Sequence, residues 1–196
     1  MKFVLASANP GKVKEMRSIL SDIGIEVVSR DELGIDIDVE ETGETFFENA
    51  LLKAKAICKI SGLPAIADDS GLVVSALGGQ PGIYTSSYGG DHLNNEERYK
   101  YLLKNMENME HRAAKFVCNT VCVFTDGTII SSEGECLGEI ALAQQGEGGF
   151  GYDPVFIPKD MQRTMAQLSP QEKNEISHRG KAIRELADKL EMRMQK

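Results

Sequence analysis

Asp68 and Asp69 follow a short run of small apolar residues, Ala65-Ile66-Ala67. Carboxylates at the apolar edge of a core are costly unless they are paired or coordinating. A second acidic pair, Glu40-Glu41, precedes a helix start. These hard oxygen donors have no His or Cys beside them, which favours Mg²⁺ or Mn²⁺ over zinc. Such an ion could bridge Glu40 or Glu41, Asp68 and Asp69 to the oxygens of a polyphosphate. One carboxylate could then orient or deprotonate a water for attack on phosphorus. The plainer alternative is a capped turn with solvated acids.

A cationic turn lies at the other end of the same chemistry. Ser7-Ala8-Asn9-Pro10-Gly11-Lys12 links a short apolar strand to a helix start. Free backbone N–H groups at a helix N-terminus favour anions. Ser7 and Asn9 add hydrogen-bond donors and Lys12 adds a point charge. The stretch has the logic of a phosphate loop without the GxxxxGK[ST] spacing, and an ordinary strand–helix turn accounts for it equally well. A third set lies towards the C-terminus. Phe150 and Tyr152 could stack on a base, Asp153 could accept hydrogen bonds, and Lys173, His178 and Arg179 could donate to a purine carbonyl. A core role for the aromatic pair and a solvated role for the three basic residues is the competing reading.

The elements that must carry these residues follow from periodicity. Residues 2–8 read as a buried strand and Lys12 to Ile23 as a helix, with Val13, Met16, Ile19, Leu20 and Ile23 on one face. Ile25 to Ser29 reads as a strand, and Leu33 to Val39 is ambiguous. Thr45 and Glu48 form a capping-box pattern ahead of a helix that Gly62-Leu63-Pro64 closes. Ala65 to Ala67 is a brief strand, and Glu96 to Met106 is a helix. Ala114 to Phe124 and Thr128 to Glu135 flank an Asp126-Gly127 hairpin turn. Gly138 to Ala141 could pair again, Val155 to Ile157 is a short strand, and Gly180 to about Met194 is the last helix. The alternation predicts an α/β protein with an extended, partly antiparallel mixed sheet and two lobes.

Bulk properties narrow the function classes. With 41% hydrophobic residues in 196, the chain can build a real core, so disorder of the main body is excluded. A net charge of −8 argues against a general nucleic-acid surface, which needs a basic stripe. No apolar run approaches a membrane span. The opening apolar residues reach Asn9-Pro10 too soon for an export leader, so a cytoplasmic location is expected. The four cysteines, Cys58, Cys118, Cys122 and Cys136, form no CxxC pair and read as buried thiols.

Five separated blocks carry a resemblance. They are SANPGKVKE at 7–15, EETGETFFENALLKA at 40–54, ADDSGLVVSALGGQPGIY at 67–84, GGFGYDPVF at 148–156 and KNEISHRGKA at 173–182. Together they resemble the Ham1-like inosine/xanthosine triphosphate pyrophosphatases over nearly the whole chain. The resemblance implies one domain over 1–196, an elongated α/β fold with two lobes around a central substrate cleft, and a homodimer. It implies Mg²⁺-dependent hydrolysis of ITP, dITP and XTP to the monophosphate and pyrophosphate, which clears deaminated purines from the nucleotide pool. By matching positions, Ser7 to Lys12 and Lys53 would hold the triphosphate. Asp69 would be the catalytic, metal-linked residue with Asp68 in support, and Glu41 or its neighbour Glu40 the other metal ligand. Ser70, Phe150, Gly151, Tyr152, Asp153, Lys173, His178 and Arg179 would contact substrate.

One departure stands out. Ser87 occupies a position where the family commonly carries arginine, within Thr85-Ser86-Ser87-Tyr88, and Arg98 or Lys100 is the available substitute cation. A pyrophosphatase for another modified or canonical nucleotide is the rival enzyme reading. A non-catalytic nucleotide-binding protein is the rival from another class.

Overall fold

The computed structural model describes residues 1–7 and 9–195. The chain divides into two compact units. The first holds Met1–Asp69, Cys118–Gly134 and Arg179–Lys196; the second holds Ser70–Val117 and Glu135–His178. A six-stranded sheet has the order β2-β1-β3-β4-β5-β6. Its strands are β1 (Lys2–Leu5), β2 (Glu26–Ser29), β3 (Ala65–Val74), β4 (Ala113–Val123), β5 (Ile129–Ile140) and β6 (Phe156–Pro158). β1 pairs in parallel with β2 and β3, while β5 and β6 are antiparallel, so the sheet is mixed as expected.

In the first unit the sheet is covered on both sides. Phe3 and Leu5 join a cluster with Met16, Leu20, Ile66 and Ile183, whereas Val4 joins Ala50, Ala54, Ile57, Ala65 and Ala67. Successive side chains of a strand point to opposite faces, so both faces of β1 are buried, as parallel strands usually require. Helix α1 (Pro10–Ser21) supplies Met16 and Leu20, and α5 (His178–Met194) supplies Ile183, Leu186 and Leu190 to the same cluster. Helix α2 (Phe46–Ser61) supplies Ala50, Ala54 and Ile57 to the other. Burying a Leu or Ile fully contributes roughly 1.5–3 kcal/mol, so these stripes dominate the docking of all three helices.

The second unit has its own core. Leu72 and Val74 of β3, Phe116 of β4 and Ile140 of β5 pack with Tyr99, Leu102 and Met106 of α3 (Asn95–Asn105) and with Tyr152, Val155 and Phe156. Helix α4 (Pro170–Ile176) completes the set of helices.

Several boundaries differ from expectation. Helix α1 begins at Pro10, because Asn9 caps it and proline at the first helical position has no N–H to lose. β3 runs straight through Asp68-Asp69-Ser70-Gly71, and β5 is one strand across Glu135 to Ile140. Sheet pairing overrides the local turn signals in both. Helix α5 begins at His178 rather than Gly180. The segment Asp31–Leu33 is a single 3₁₀ turn and residues 35–43 are irregular. Helix α4 was legible but unread: Ser169 and Glu172 form a full capping box with Pro170 at its start. Among the described residues, no helix is long and apolar enough to cross a membrane.

Candidate active site

In the first unit the acids and cations interleave. Asp68 sits on β3 with its side chain fully enclosed. Its Oδ2 lies 2.9 Å from Lys12 Nζ at the start of α1 and accepts from Arg179 Nε of α5 at 3.2 Å. Arg179 Nη1 also donates to Glu15 of α1 at 3.1 Å. Burial alone would raise the Asp68 carboxyl, but the Lys12 and Arg179 charges outweigh it and hold the group well below the usual carboxylate range. Burial would likewise lower Arg179, and Asp68 reverses that, so the guanidinium is held firmly charged. Asp68 Oδ1 is buried and has no hydrogen-bond partner among the described residues.

Asp69, the next residue, heads a second set. Lys53 of α2 bridges two carboxylates, with Nζ 3.3 Å from Asp69 Oδ1 and 3.2 Å from Glu41 Oε1. Asn49 Nδ2 reaches the other Asp69 oxygen at 3.4 Å. Asn49 and Lys53 are four apart on one helix, so they share a face. Asn49 Oδ1 in turn accepts from Gly43 N at 2.8 Å, and a Cβ on Gly43 would come within 2.7 Å of that oxygen. Glycine therefore lets the Glu40–Gly43 loop close against α2, and this closure is how Glu41 meets Lys53. Burial raises the Asp69 carboxyl and the nearby Glu41 charge adds to it, more than the Lys53 ammonium lowers it. Lys53 is itself pushed up: burial works against its charge, but Asp69 and Glu41 together prevail.

This donor set suits a hard divalent cation. Glu41 and Asp69 present oxygens on either side of the Lys53 ammonium, Asp68 Oδ1 lacks a partner among the described residues, and no His or Cys takes part. Among the described residues no three His, Cys, Asp or Glu side chains are grouped closely enough to hold a metal by themselves. Magnesium is usually bound by one or two carboxylates together with substrate phosphates. The two adjacent glutamates are both exposed, and Glu41 joins the cluster through Lys53.

The N-terminal turn differs from the expected cradle of backbone donors. Asn9 Oδ1 accepts from Gly11 N at 2.9 Å and Lys12 N at 3.3 Å, and Asn9 N donates to Ser7 Oγ at 3.2 Å. Pro10 has no N–H. Local capping thus uses the backbone donors of Asn9, Gly11 and Lys12. The Lys12 ammonium and the side chains of Ser7 and Asn9 are what this turn can offer an anion. Ala8 lies outside the described residues.

The second unit holds the remaining candidates. Asp153 is buried; its Oδ2 accepts from Phe150 N at 2.7 Å and from Lys173 Nζ of α4 at 2.6 Å. The same ammonium lies 4.4 Å from the Phe150 ring centre. Phe150 is 39% exposed, an open aromatic surface. Tyr152 is not: its ring is in the core and its hydroxyl donates to Thr85 O at 3.0 Å, which corrects the expectation that it stacks on a base. His178 is buried and stacked on Phe116 at 4.7 Å. Lys173, His178 and Arg179 are all buried, against the reading of them as solvated. Arg179 donates to Asp68 in the first unit. Ser70 follows Asp69 on β3, and Gly151 sits in the left-handed region at φ 58°. Ser87 donates to Tyr84 O; Arg98 is buried and donates to Gly90 O, and Lys100 pairs with Glu96 at the surface.

Sequence reasoning missed Asn49 and Glu15. The signal for Asn49 was a polar residue four before Lys53 in an otherwise apolar stripe. Glu15 carried no such signal, since its partner is 164 positions away.

The chain is similar to known proteins over nearly its whole length. The chain is 50% identical over 193 residues to the dITP/XTP pyrophosphatase of Haemophilus influenzae, covering 96% of this chain and 98% of that one. It superposes on the Ham1 protein of Staphylococcus aureus with a TM-score of 0.90 at 44% identity, covering 98% of this chain and 100% of that one. The corresponding values for a HAM1 protein of Coxiella burnetii are 0.90 and 42%, with coverage of 97% and 98%. The Ham1 family model matches residues 3–189, so by sequence and by fold the chain belongs to the Ham1 family.

Proposed function

We propose that the chain is a nucleoside-triphosphate pyrophosphatase that acts on dITP, ITP and XTP. Water adds to the α-phosphorus, the bond from that phosphorus to the bridging oxygen breaks, and the products are the monophosphate and pyrophosphate. The observation that carries the reading is the interleaving of Lys12, Asp68, Lys53, Asp69 and Glu41 in a chain near-identical in length to a relative named for this reaction. Asp69 is the residue that orients the attacking water and takes its proton. Its raised carboxyl suits that task, because a base works best with a pKa drawn towards the operating pH. Lys53 and Asn49 fix its two oxygens. Lys12 and Lys53 set positive charge where the phosphate chain must sit. Glu41 and Asp69 would hold Mg²⁺, which when bound offsets charge on the phosphate oxygens, with Asp68 in support.

Base choice falls to the second unit, through the open Phe150 ring and the Lys173 ammonium. A donor held there donates to a 6-oxo group and finds no acceptor in a 6-amino group, and rejection of guanine, which also carries 6-oxo, needs a further feature at position 2. The reaction would run in the cytoplasm, on a homodimer.

The test is steady-state hydrolysis of ITP, XTP, GTP and ATP with Mg²⁺, with the products separated by chromatography. ITP and XTP cleaved far faster than ATP and GTP, to monophosphate and pyrophosphate, supports the proposal. Release of free phosphate as the primary product overturns the choice of bond. Equal cleavage of all four overturns the base preference.

A further inference from the structure

In the first unit the sheet ends at β2, the last strand in its order, with β1 on its inner side. The N–H groups of Glu26 and Arg30 turn inward, to Met1 O at 3.1 Å and Leu5 O at 3.0 Å. Backbone groups alternate in direction along a strand, so those of Val27 and Ser29 turn outward. Such an edge is a template for pairing with another chain. Beside it runs an open groove of about 650 Å³, lined by Val13, Ser18 and Ser21 of α1 and by Ser29, Arg17 and Glu32.

Side chains occupy two of the outward groups. Arg17 Nε donates to Val27 O at 2.9 Å, and Glu32 Oε2 accepts from Ser29 N at 2.9 Å. The same Glu32 oxygen is paired with Arg17 Nη2, so the two side chains form one bridge along the strand edge. Glu32 N also donates to Ser29 Oγ at 3.3 Å, and these reciprocal bonds hold the carboxylate against the end of the strand. A donor facing Val27 O and an acceptor facing Ser29 N–H are what a neighbouring strand presents. Two β2 strands paired antiparallel about a two-fold axis at Val28 would join Val27 O of each to Ser29 N–H of the other. The bridge sits on those same atoms. Arg17 and Glu32 are 40% and 50% exposed, and an exposed ion pair adds little to stability, so its weight falls on the backbone groups it covers.

We infer that the Arg17–Glu32 bridge is an edge seal: it stands in for a seventh strand and keeps β2 from pairing with β2 of a second copy. The seal is independent of the activity proposed above.

The experiment is sedimentation velocity over a range of concentrations, with a thermal melt of each variant as a folding check. Self-association is compared with that of the wild-type chain. Arg17→Met leaves the Ser29–Glu32 bonds in place and bares Val27 O. It should strengthen self-association at least about tenfold, the scale of the hydrogen bonds an open edge can gain. It also makes an acidic chain more acidic, which by itself opposes association. The charge swap of Arg17→Glu with Glu32→Arg separates a seal from a tether. It keeps an ion pair but sets an acceptor against Val27 O and a donor against Ser29 N–H, so it should associate at least as strongly as Arg17→Met. A swap that restores wild-type behaviour would overturn the inference, because the pair would then only tie α1 to the turn after β2. Wild-type behaviour in both variants would overturn it too. The contact is located with Val28→Cys, since the two-fold pairing sets this residue opposite itself and the native cysteines are buried. Oxidation with diamide should give a cross-linked dimer in the Arg17→Met background and little without it. Added association without that cross-link would overturn the seal. Should Arg17→Met fail to fold, Glu32→Ala bares the Ser29 N–H instead and is expected to associate and cross-link in the same way.

Discussion

The two units handle buried charge in opposite ways. In the first, Asp68 answers two cations and Lys53 answers two carboxylates, so each charge is shared. In the second, Asp153 and Lys173 are matched one to one, with an aromatic ring against the cation. A shared network can accept a further charged ligand, since each partner it gives up still leaves the other. A closed pair holds its members rigidly, and the Lys173 ammonium keeps further N–H donors for a ligand. The first arrangement suits phosphates and a metal ion. The second suits the shape of a base.

Breaking the shared network at its buried centre should have the largest effect. Arg179→Met leaves Asp68 enclosed with Lys12 alone, and stability should fall by about 3 kcal/mol, the scale of a broken buried pair. Urea unfolding followed by circular dichroism checks this, and a loss under about 1 kcal/mol would show that Lys12 suffices. Asp69→Asn keeps size and shape, and should lower kcat for ITP at least about 100-fold with the fold intact. Near-normal turnover would remove Asp69 from the chemistry. Lys53→Met should cost about tenfold in kcat/KM, as one charge-assisted contact does.

Smaller changes sharpen the contrast in the second unit. Tyr152→Phe removes the hydroxyl from Thr85 O and should cost about 1 kcal/mol of stability without raising KM, because the ring is core. A raised KM would return Tyr152 to the substrate site. The smallest effect concerns α4, which carries Lys173. Arg163 and the Ser169 backbone N–H hold the Glu172 carboxyl down at about 2 from an ordinary value of about 4.5. A depressed folded-state pKa contributes stability that is complete above the unfolded value and is lost as pH falls through the folded one. Glu172→Gln should flatten the acid side of the stability profile between those two values, read from thermal midpoints at a series of pH values.

Much of the frame was legible locally. Thr45 and Glu48 announced α2 because a capping box needs only residues three positions apart in sequence to be satisfied. The stripes on α1 and α5 announced buried faces, and Asp126-Gly127 announced the turn after β4, with Gly127 at φ 85°. The same local signals misled at Asp68 to Gly71, where sheet pairing carries β3 through a turn-like sequence. The Asn9 side-chain oxygen caps α1, which leaves its amide N–H groups as the donors it can offer an anion.

The sequence by itself determined which residues could do chemistry and which short segments would be helix or strand, because propensity, capping and periodicity act over a few residues. It determined the family through its separated blocks. Only the tertiary structure decided who pairs with whom. Arg179 and Asp68 lie 111 positions apart and meet because α5 packs its apolar stripe onto the cluster that buries β1 and β3. Asp153 and Lys173 are 20 apart and meet because α4 belongs to the same unit as the glycine loop. Such pairings follow from apolar burial elsewhere in the chain, so no reading of the charged residues alone could have assigned Arg179 to Asp68 or Lys173 to Asp153.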